Sequence, residues 1–108
     1  MGKFTVGNVV LVTFPFSNLK GQKIRPAMVV AHVEFDNLIL CQITSKSYTN
    51  KTAVKLDSSD FYQGGLPVVS FVRPDKLFTA DQTIIKSIVG TVTKEKKQEI
   101  LNKVRNIF

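Results

Sequence analysis

The sequence predicts a mainly β protein, a small barrel of short strands followed by one C-terminal helix. Short runs rich in β-branched and aromatic residues, separated by turn residues, fill most of the chain. After Thr93 the spacing of the apolar residues changes to that of a helix. Because the strands do not alternate with helices, a barrel is favoured over a parallel sheet of strand–helix–strand units.

The composition indicates one basic domain spanning residues 1–108. Fifteen Lys and Arg residues against eight Asp and Glu give a formal net charge of +7, which favours nucleic acid, an acidic protein or an anionic membrane surface as a partner. No signal-peptide core opens the chain, and no apolar run approaches the roughly 20 residues of a membrane span. We therefore expect a cytoplasmic protein. The single cysteine, Cys41, excludes an internal disulfide and predicts a buried, inert thiol.

The first half of the chain contains four predicted strands, which are Val6–Phe16, Ala27–Val33, Leu38–Thr44 and Ala53–Leu56. Pro15 has no N–H to donate, so the first strand must end there or lie at an edge. The polar segments between the strands are predicted to be loops and a turn: Ser17–Lys23, Glu34–Asn37 and Ser45–Thr52.

The second half contains turns, two short strands and the helix. The segment Asp57–Pro67 has turn residues throughout. Strands are predicted at Val68–Val72 and Lys76–Thr79, with a break at 73–75. Thr93 is the expected N-cap of the helix. The apolar helix residues share one face, which should pack on the sheet, and they are Ile100, Leu101, Val104, Ile107 and Phe108.

Several catalytic chemistries are disfavoured by the residues present. The eight carboxylates are scattered and form no clear metal site. His32 is the only histidine, so a two-histidine acid–base site is excluded. No phosphate-binding glycine motif and no serine in a nucleophile-elbow context occur. The sequence therefore argues against metal-dependent, nucleotide-hydrolysing and Ser-His-Asp chemistry.

Basic residues concentrate between positions 20 and 55, where hydroxyl and amide side chains lie among them. Only Glu34 and Asp36 oppose this cluster, whose members are Lys20, Lys23, Arg25, Lys46, Lys51 and Lys55. Such a mixture suits phosphate contacts combined with hydrogen bonds to base edges, as in binding of single-stranded RNA. For any one lysine, an ordinary solvated surface is the better interpretation.

Several segments together resemble the MazF/PemK family, the ribonuclease toxins of bacterial type II toxin–antitoxin systems. The matching segments are 7–17, Lys23-Ile-Arg-Pro-Ala-Met-Val-Val30, Ile43-Thr-Ser-Lys46, 66–79 and 88–90. The resemblance implies an SH3-like barrel with a terminal helix, usually a homodimer, and no cofactor. It also implies metal-independent cleavage of single-stranded RNA at short motifs, leaving a 2′,3′-cyclic phosphate and a 5′-hydroxyl. An acidic antitoxin would be the protein partner.

Carried over position by position, the family's catalytic arginine falls on Arg25 and its catalytic threonine on Thr44. For Arg25 the alternative is a structural arginine before Pro26, and for Thr44 a simple strand-end hydroxyl. Asn8 stands where the family usually has Asp, and we expect this to change hydrogen bonding at the strand start more than catalysis. The expected RNA-binding residues are Lys20, Gln22, Lys23, Ser45, Lys46 and Lys76, of which Lys76 is equally well explained as plain surface.

The chemistry of RNA cleavage fits these two residues, because the ribose 2′-hydroxyl is itself the nucleophile. The protein must orient that hydroxyl and stabilise charge on the phosphate, which a guanidinium fork does well. The general base stays open between a strongly perturbed arginine, His32 and a water molecule. The competing hypothesis is a non-catalytic nucleic-acid-binding protein, or a topoisomerase-poisoning toxin, on the same fold.

Overall fold

The computed structural model describes residues 4–15, 22–46 and 52–108. Over these residues the chain forms seven strands and one α-helix: β1 Asn8–Pro15, β2 Gln22–Val33, β3 Asn37–Thr44, β4 Val54–Leu56, β5 Phe61–Gly64, β6 Ser70–Asp81, β7 Ile85–Val92 and α1 Lys94–Ile107. Short 3-10 helices, Ser58–Asp60 and Gln82–Ile84, precede β5 and β7. Within this part of the chain, no helix is long and apolar enough to cross a membrane.

The strands form one curled antiparallel sheet in the order β4-β6-β3-β2-β1-β7-β5. Several ladders contain register shifts, which bend and twist the sheet. Strands β1 to β3 form the central meander of this sheet. The apolar runs of β1 and β3 supply side chains to both faces of the sheet, and each face carries a cluster of core residues.

Two clusters of apolar side chains form the core. Successive residues of a strand point to opposite faces, so Val9 joins one cluster and Val10 the other. Helix α1 covers the first cluster through Ile100, which is fully buried, and Val104, which packs against it. The second cluster includes Phe4, Val12 and other buried residues, namely Ala27, Val29, Leu38, Leu40 and Ala80.

The predicted boundaries in the first half differ from the structure mainly at the start of β2, and β1 begins at Asn8 instead of Val6. Strand β1 ends at Pro15, as the missing N–H requires. Strand β2, however, begins at Gln22 instead of Ala27, so Gln22 and Lys23 belong to a strand and not to a loop. They pair with Pro15 and Phe14, and this pairing with β1 overrides their weak intrinsic preference for a strand. Phe16 and the rest of the predicted loop, 17–21, lie outside the described residues.

The second half differs more from prediction. Phe61–Gly64 forms β5 inside the segment predicted to be all turn, and Ile85–Val92 forms β7, which the sequence reading did not predict. The two predicted strands around position 74 are one strand, β6. Cys41 pairs with Leu77 while Gln42 pairs with Arg73, so residues 74–76 bulge from the ladder. The bulge accommodates Pro74, which has no N–H for the ladder.

The helix is predicted correctly at its start and only partly on its apolar face. The Lys96 amide donates to Thr93 Oγ1 at 3.2 Å, which confirms the N-cap. Ile100 is buried, but Ile107 is 41% exposed and Phe108 is 90% exposed. The prediction that these last two residues pack on the sheet is therefore wrong, since helical spacing does not reveal where the surface beneath a helix ends.

The Asn8 side chain forms hydrogen bonds at the start of β1, one of which connects β1 to β7. Its Oδ1 accepts from the Thr5 amide at 2.7 Å, and its Nδ2 donates to Thr91 Oγ1 at 3.1 Å. Asn8→Ala removes both bonds and should lower the free energy of unfolding by about 1–3 kcal/mol. Asn8→Asp should cost less, because the Thr91 hydroxyl can turn and donate. Urea unfolding measures both effects, and equal midpoints for wild type and Asn8→Ala would contradict this role.

Candidate active site

Arg25 and Thr44 lie where strands β2 and β3 separate, and we call this separation the fork. The ladder between β2 and β3 runs from Val33 and Asn37 to the pair Ala27 and Gln42, where it ends. Two further steps in the same register would set Arg25 opposite Thr44. The next residue after Ala27 along this path is Pro26, which has no N–H to donate. From this point β2 stays paired with β1, and β3 stays paired with β6.

An open pocket of about 410 Å³ lies at the fork. Arg25 and Thr44 both line it, and both side chains are partly exposed. The remaining lining residues come from β1, β2 and β3, from the turn after β3, and from the connection to β6 and its first residue: Leu11, Lys23, Ile24, Pro26, Ile43, Ser45, Lys46, Leu66, Pro67, Val68 and Ser70. The pocket thus combines three cations with an apolar surround.

Thr44 is held in place by the chain that follows it. The amide of Lys46 donates to Thr44 Oγ1 at 3.2 Å, forming a local turn after β3. Because the hydroxyl oxygen accepts this bond, its hydrogen is kept as a donor for a ligand. The same turn directs Ser45 and Lys46 to the rim of the pocket, where both are exposed.

The predicted RNA-binding residues divide into three groups. Lys23, Ser45 and Lys46 line the pocket beside Arg25 and Thr44. Gln22 opens β2 next to Lys23, and Lys20 lies outside the described residues. Lys76 is exposed in the bulge of β6 and does not line this pocket. One chain therefore brings together part of the predicted set.

The two other reactive side chains lie elsewhere. His32 is exposed and pairs with Leu38, roughly 20 Å along β2 from Arg25 at strand spacing. Cys41 is fully buried, as predicted. Burial raises the pKa of the Cys41 thiol to about 12, and the negative charge of Asp75 adds to this rise. Among the residues that the structure describes, no three His, Cys, Asp or Glu side chains group so as to hold a metal ion.

Residues 5–108 match the family described as PemK-like, MazF-like toxins of type II toxin–antitoxin systems. The chain belongs to this family. Among curated proteins, no sequence matches it significantly.

Solved structures of MazF toxins have the same fold. The MazE–MazF structure from Deinococcus radiodurans has a TM-score of 0.76 at 17% identity, over 94% of this chain and 92% of that one. The Mycobacterium tuberculosis toxin MazF-mt6 has a TM-score of 0.72 at 16% identity, over 92% and 93%. An endoribonuclease with its cognate antitoxin from mycobacterial species has a TM-score of 0.70 at 17% identity, over 98% and 93%. The mainly β barrel with a C-terminal helix, of the MazF/PemK type, is thus confirmed.

In this MazF-like chain, the apolar wall of the pocket was missed by sequence reasoning. The sequence predicts a turn ending at Pro67 and a strand from Val68, yet residues 66–68 precede β6 and border the site. Val68 is 56% exposed, and Ile24, which also lines the pocket, is 55% exposed. The available signal was the apolar run after two glycines, which is unusual for a solvent-exposed connection.

Proposed function

We propose that this toxin is a sequence-specific, metal-independent endoribonuclease that cleaves single-stranded RNA, acting in the cytoplasm as a homodimer. The main support is the pocket at the fork, where Arg25 and Thr44 lie together with Lys23 and Lys46. A guanidinium, a hydroxyl donor and two ammonium groups suit a phosphodiester in a strand. In a homodimer, Lys76 would be free to contact RNA bound to the partner.

The proposed reaction is an internal transesterification. The ribose 2′-hydroxyl gives its proton to the general base as its oxygen attacks phosphorus. The bond from phosphorus to the 5′-oxygen breaks, and the leaving 5′-oxygen takes a proton from the protonated base or from water. The products are a 2′,3′-cyclic phosphate and a 5′-hydroxyl. Arg25 stabilises the negative charge that builds on the non-bridging oxygens, and Thr44 orients the phosphate or the 2′-oxygen.

The position of His32 narrows the choice of general base. A base must come within hydrogen-bonding reach of the proton that it removes, directly or through one water. His32 lies far along β2 and does not line the pocket. Of the three groups considered, Arg25 and a water molecule are thus the two candidates that a single chain leaves at this site.

Incubating the purified protein with a long single-stranded RNA in EDTA tests this function. We expect discrete fragments that end in a cyclic phosphate, because the proposed chemistry uses no metal. Sequencing the fragment ends then gives the cleavage motif. Intact RNA under all conditions would favour the non-catalytic or topoisomerase-poisoning alternative. Cleavage that requires magnesium would refute the metal-free mechanism.

We also propose that an acidic antitoxin neutralises the toxin by occupying this pocket. An endoribonuclease active in its own cytoplasm requires such control. Carboxylates of a flexible antitoxin segment would mimic phosphates at Arg25, Lys23 and Lys46, and apolar side chains would cover the wall at 66–68. Antitoxin and RNA would then exclude each other.

Co-expression with the protein encoded by the neighbouring reading frame tests this control. We expect the toxin alone to arrest growth and the pair to be harmless. The affinity of the purified pair should fall as salt rises, because exposed charges meet at the interface. A ternary complex that still cuts RNA at full rate would contradict the proposal, as would harmless expression of active enzyme alone.

A further inference from the structure

A second pocket lies next to the candidate active site. Its volume is about 220 Å³. Three of its lining residues, Leu66, Pro67 and Val68, also line the first pocket. The other lining residues come from β4, the 3-10 helix after it and the connection to β6, and they are Leu56, Asp57, Ser58, Phe61 and Val69.

The shared wall is a fixed part of the structure. The Ser70 hydroxyl, which is buried, donates to the Val68 carbonyl oxygen at 3.0 Å. Leu66 packs against the first core cluster. Because the two pockets share residues 66–68, a ligand whose charged group binds at Arg25 has the second pocket on the other side of this wall. In a nucleic acid strand, the group next to a phosphate is a nucleoside.

The lining of the second pocket suits a planar heterocycle. Phe61 and Val69 provide apolar surface, and RNA-binding proteins commonly hold unstacked bases against such side chains. Asp57 and Ser58 add polar groups at one side. The pocket is thus mostly apolar with a few polar groups, as is typical of sites that orient a small ring.

The Asp57 carboxylate is held in a defined position. Its Oδ1 accepts from the Ser59 amide at 3.1 Å and from the Ser59 hydroxyl at 2.7 Å. The same side chain takes part in the capping box of the 3-10 helix with Asp60, and a carboxylate has about four lone-pair positions, so it can still accept from a ligand. The two bonds from Ser59 lower the pKa of Asp57, so the group is an ionised, acceptor-only carboxylate at neutral pH. Such a group repels phosphate and accepts from N–H donors.

We propose that the second pocket binds one RNA base and that Asp57 selects a base carrying an amino group over uracil. Adenine, cytosine and guanine each present an amino donor at the pairing edge, and a carboxylate accepts from such donors. Uracil presents two carbonyl oxygens beside its single N–H, and the carboxylate repels them. This inference rests on RNA being the ligand of the proposed active site.

Selection of binders from a random single-stranded RNA library with 2′-fluoro riboses tests the inference. These RNAs lack the attacking hydroxyl, so base preference is measured without cleavage. Asp57→Asn keeps an N-cap side chain but replaces an oxygen acceptor with an amide donor. Asp81→Asn is the matched control, because Asp81 caps the other 3-10 helix in the same way and lines neither pocket.

We expect the wild-type protein and Asp81→Asn to disfavour uracil at one position of the bound motif. At that position Asp57→Asn should lose about tenfold or more of the discrimination, the amount that a good base-edge contact supplies. Identical preferences for all three proteins would overturn the inference even if the wild type cleaves RNA. Weakened antitoxin binding with unchanged RNA preferences would assign the pocket to the protein partner. Conversely, a shifted preference in a protein that never cleaves RNA would support the base pocket and refute the proposed activity.

Discussion

Arg25→Ala should lower the rate of RNA cleavage by about 10²–10³-fold, the usual cost of losing one preorganised electrostatic contact to the transition state. Arg25 lies at the fork of β2 and β3, where it can present two parallel N–H donors to a phosphate. RNA affinity should fall much less, because Lys23 and Lys46 line the same pocket. Single-turnover cleavage and binding of 2′-fluoro RNA measure the two effects separately.

Three further variants serve as comparisons for Arg25→Ala in the cleavage assay. Arg25→Lys keeps the positive charge but loses the two parallel N–H donors of the guanidinium. It should therefore cleave faster than Arg25→Ala but more slowly than the wild type. Arg105→Ala removes the same charge from the exposed end of α1 and should cleave like the wild type. Thr44→Ala should have a milder effect, or a comparable one if Thr44 orients the 2′-hydroxyl. An Arg25→Ala protein that folds and cleaves at nearly the wild-type rate would remove Arg25 from the mechanism.

Ile100→Ala should lower the free energy of unfolding by about 2–5 kcal/mol, since it leaves a cavity between α1 and the sheet. Ile100 is fully buried and belongs to the first core cluster with Val9, Met28 and Val92. The cluster also contains Val72 of β6, the strand that α1 contacts most, so the variant weakens the packing of the helix on β6. Chemical denaturation monitored by circular dichroism measures the loss.

The control for Ile100 lies in the same helix. Ile107→Ala makes the same chemical change at a side chain that is 41% exposed, and its effect should stay within about 0.5 kcal/mol. Because Ala is a better helix former than Ile, helix propensity should slightly favour both variants, and an equal loss of stability at both positions would contradict the role given to burial. Unchanged stability of Ile100→Ala would show that α1 contributes little to the core.

Local chemistry is strong enough to predict some elements of this fold directly. The end of β1 follows from Pro15, which cannot donate to a ladder, and the start of α1 follows from Thr93, whose hydroxyl caps the helix. Strands β5 and β7 were missed because they contain polar residues and glycines and depend on their neighbours: β5 pairs with β7, and β7 pairs with β1. Strand preference of this kind depends on neighbours that the sequence alone does not display.

In the candidate site, too, some features follow from the sequence and others depend on the tertiary structure. The sequence by itself determined the mainly β class, the basic charge and the residue types at positions 25 and 44, because these depend on composition, periodicity and motif. The tertiary structure alone decided that Arg25 and Thr44, 19 positions apart, line one pocket, and that Lys76 and His32 do not. The physical reason is register. The ladder between β2 and β3 sets which residues are opposite each other, and beyond the Ala27–Gln42 pair the two strands separate and leave space for the pocket.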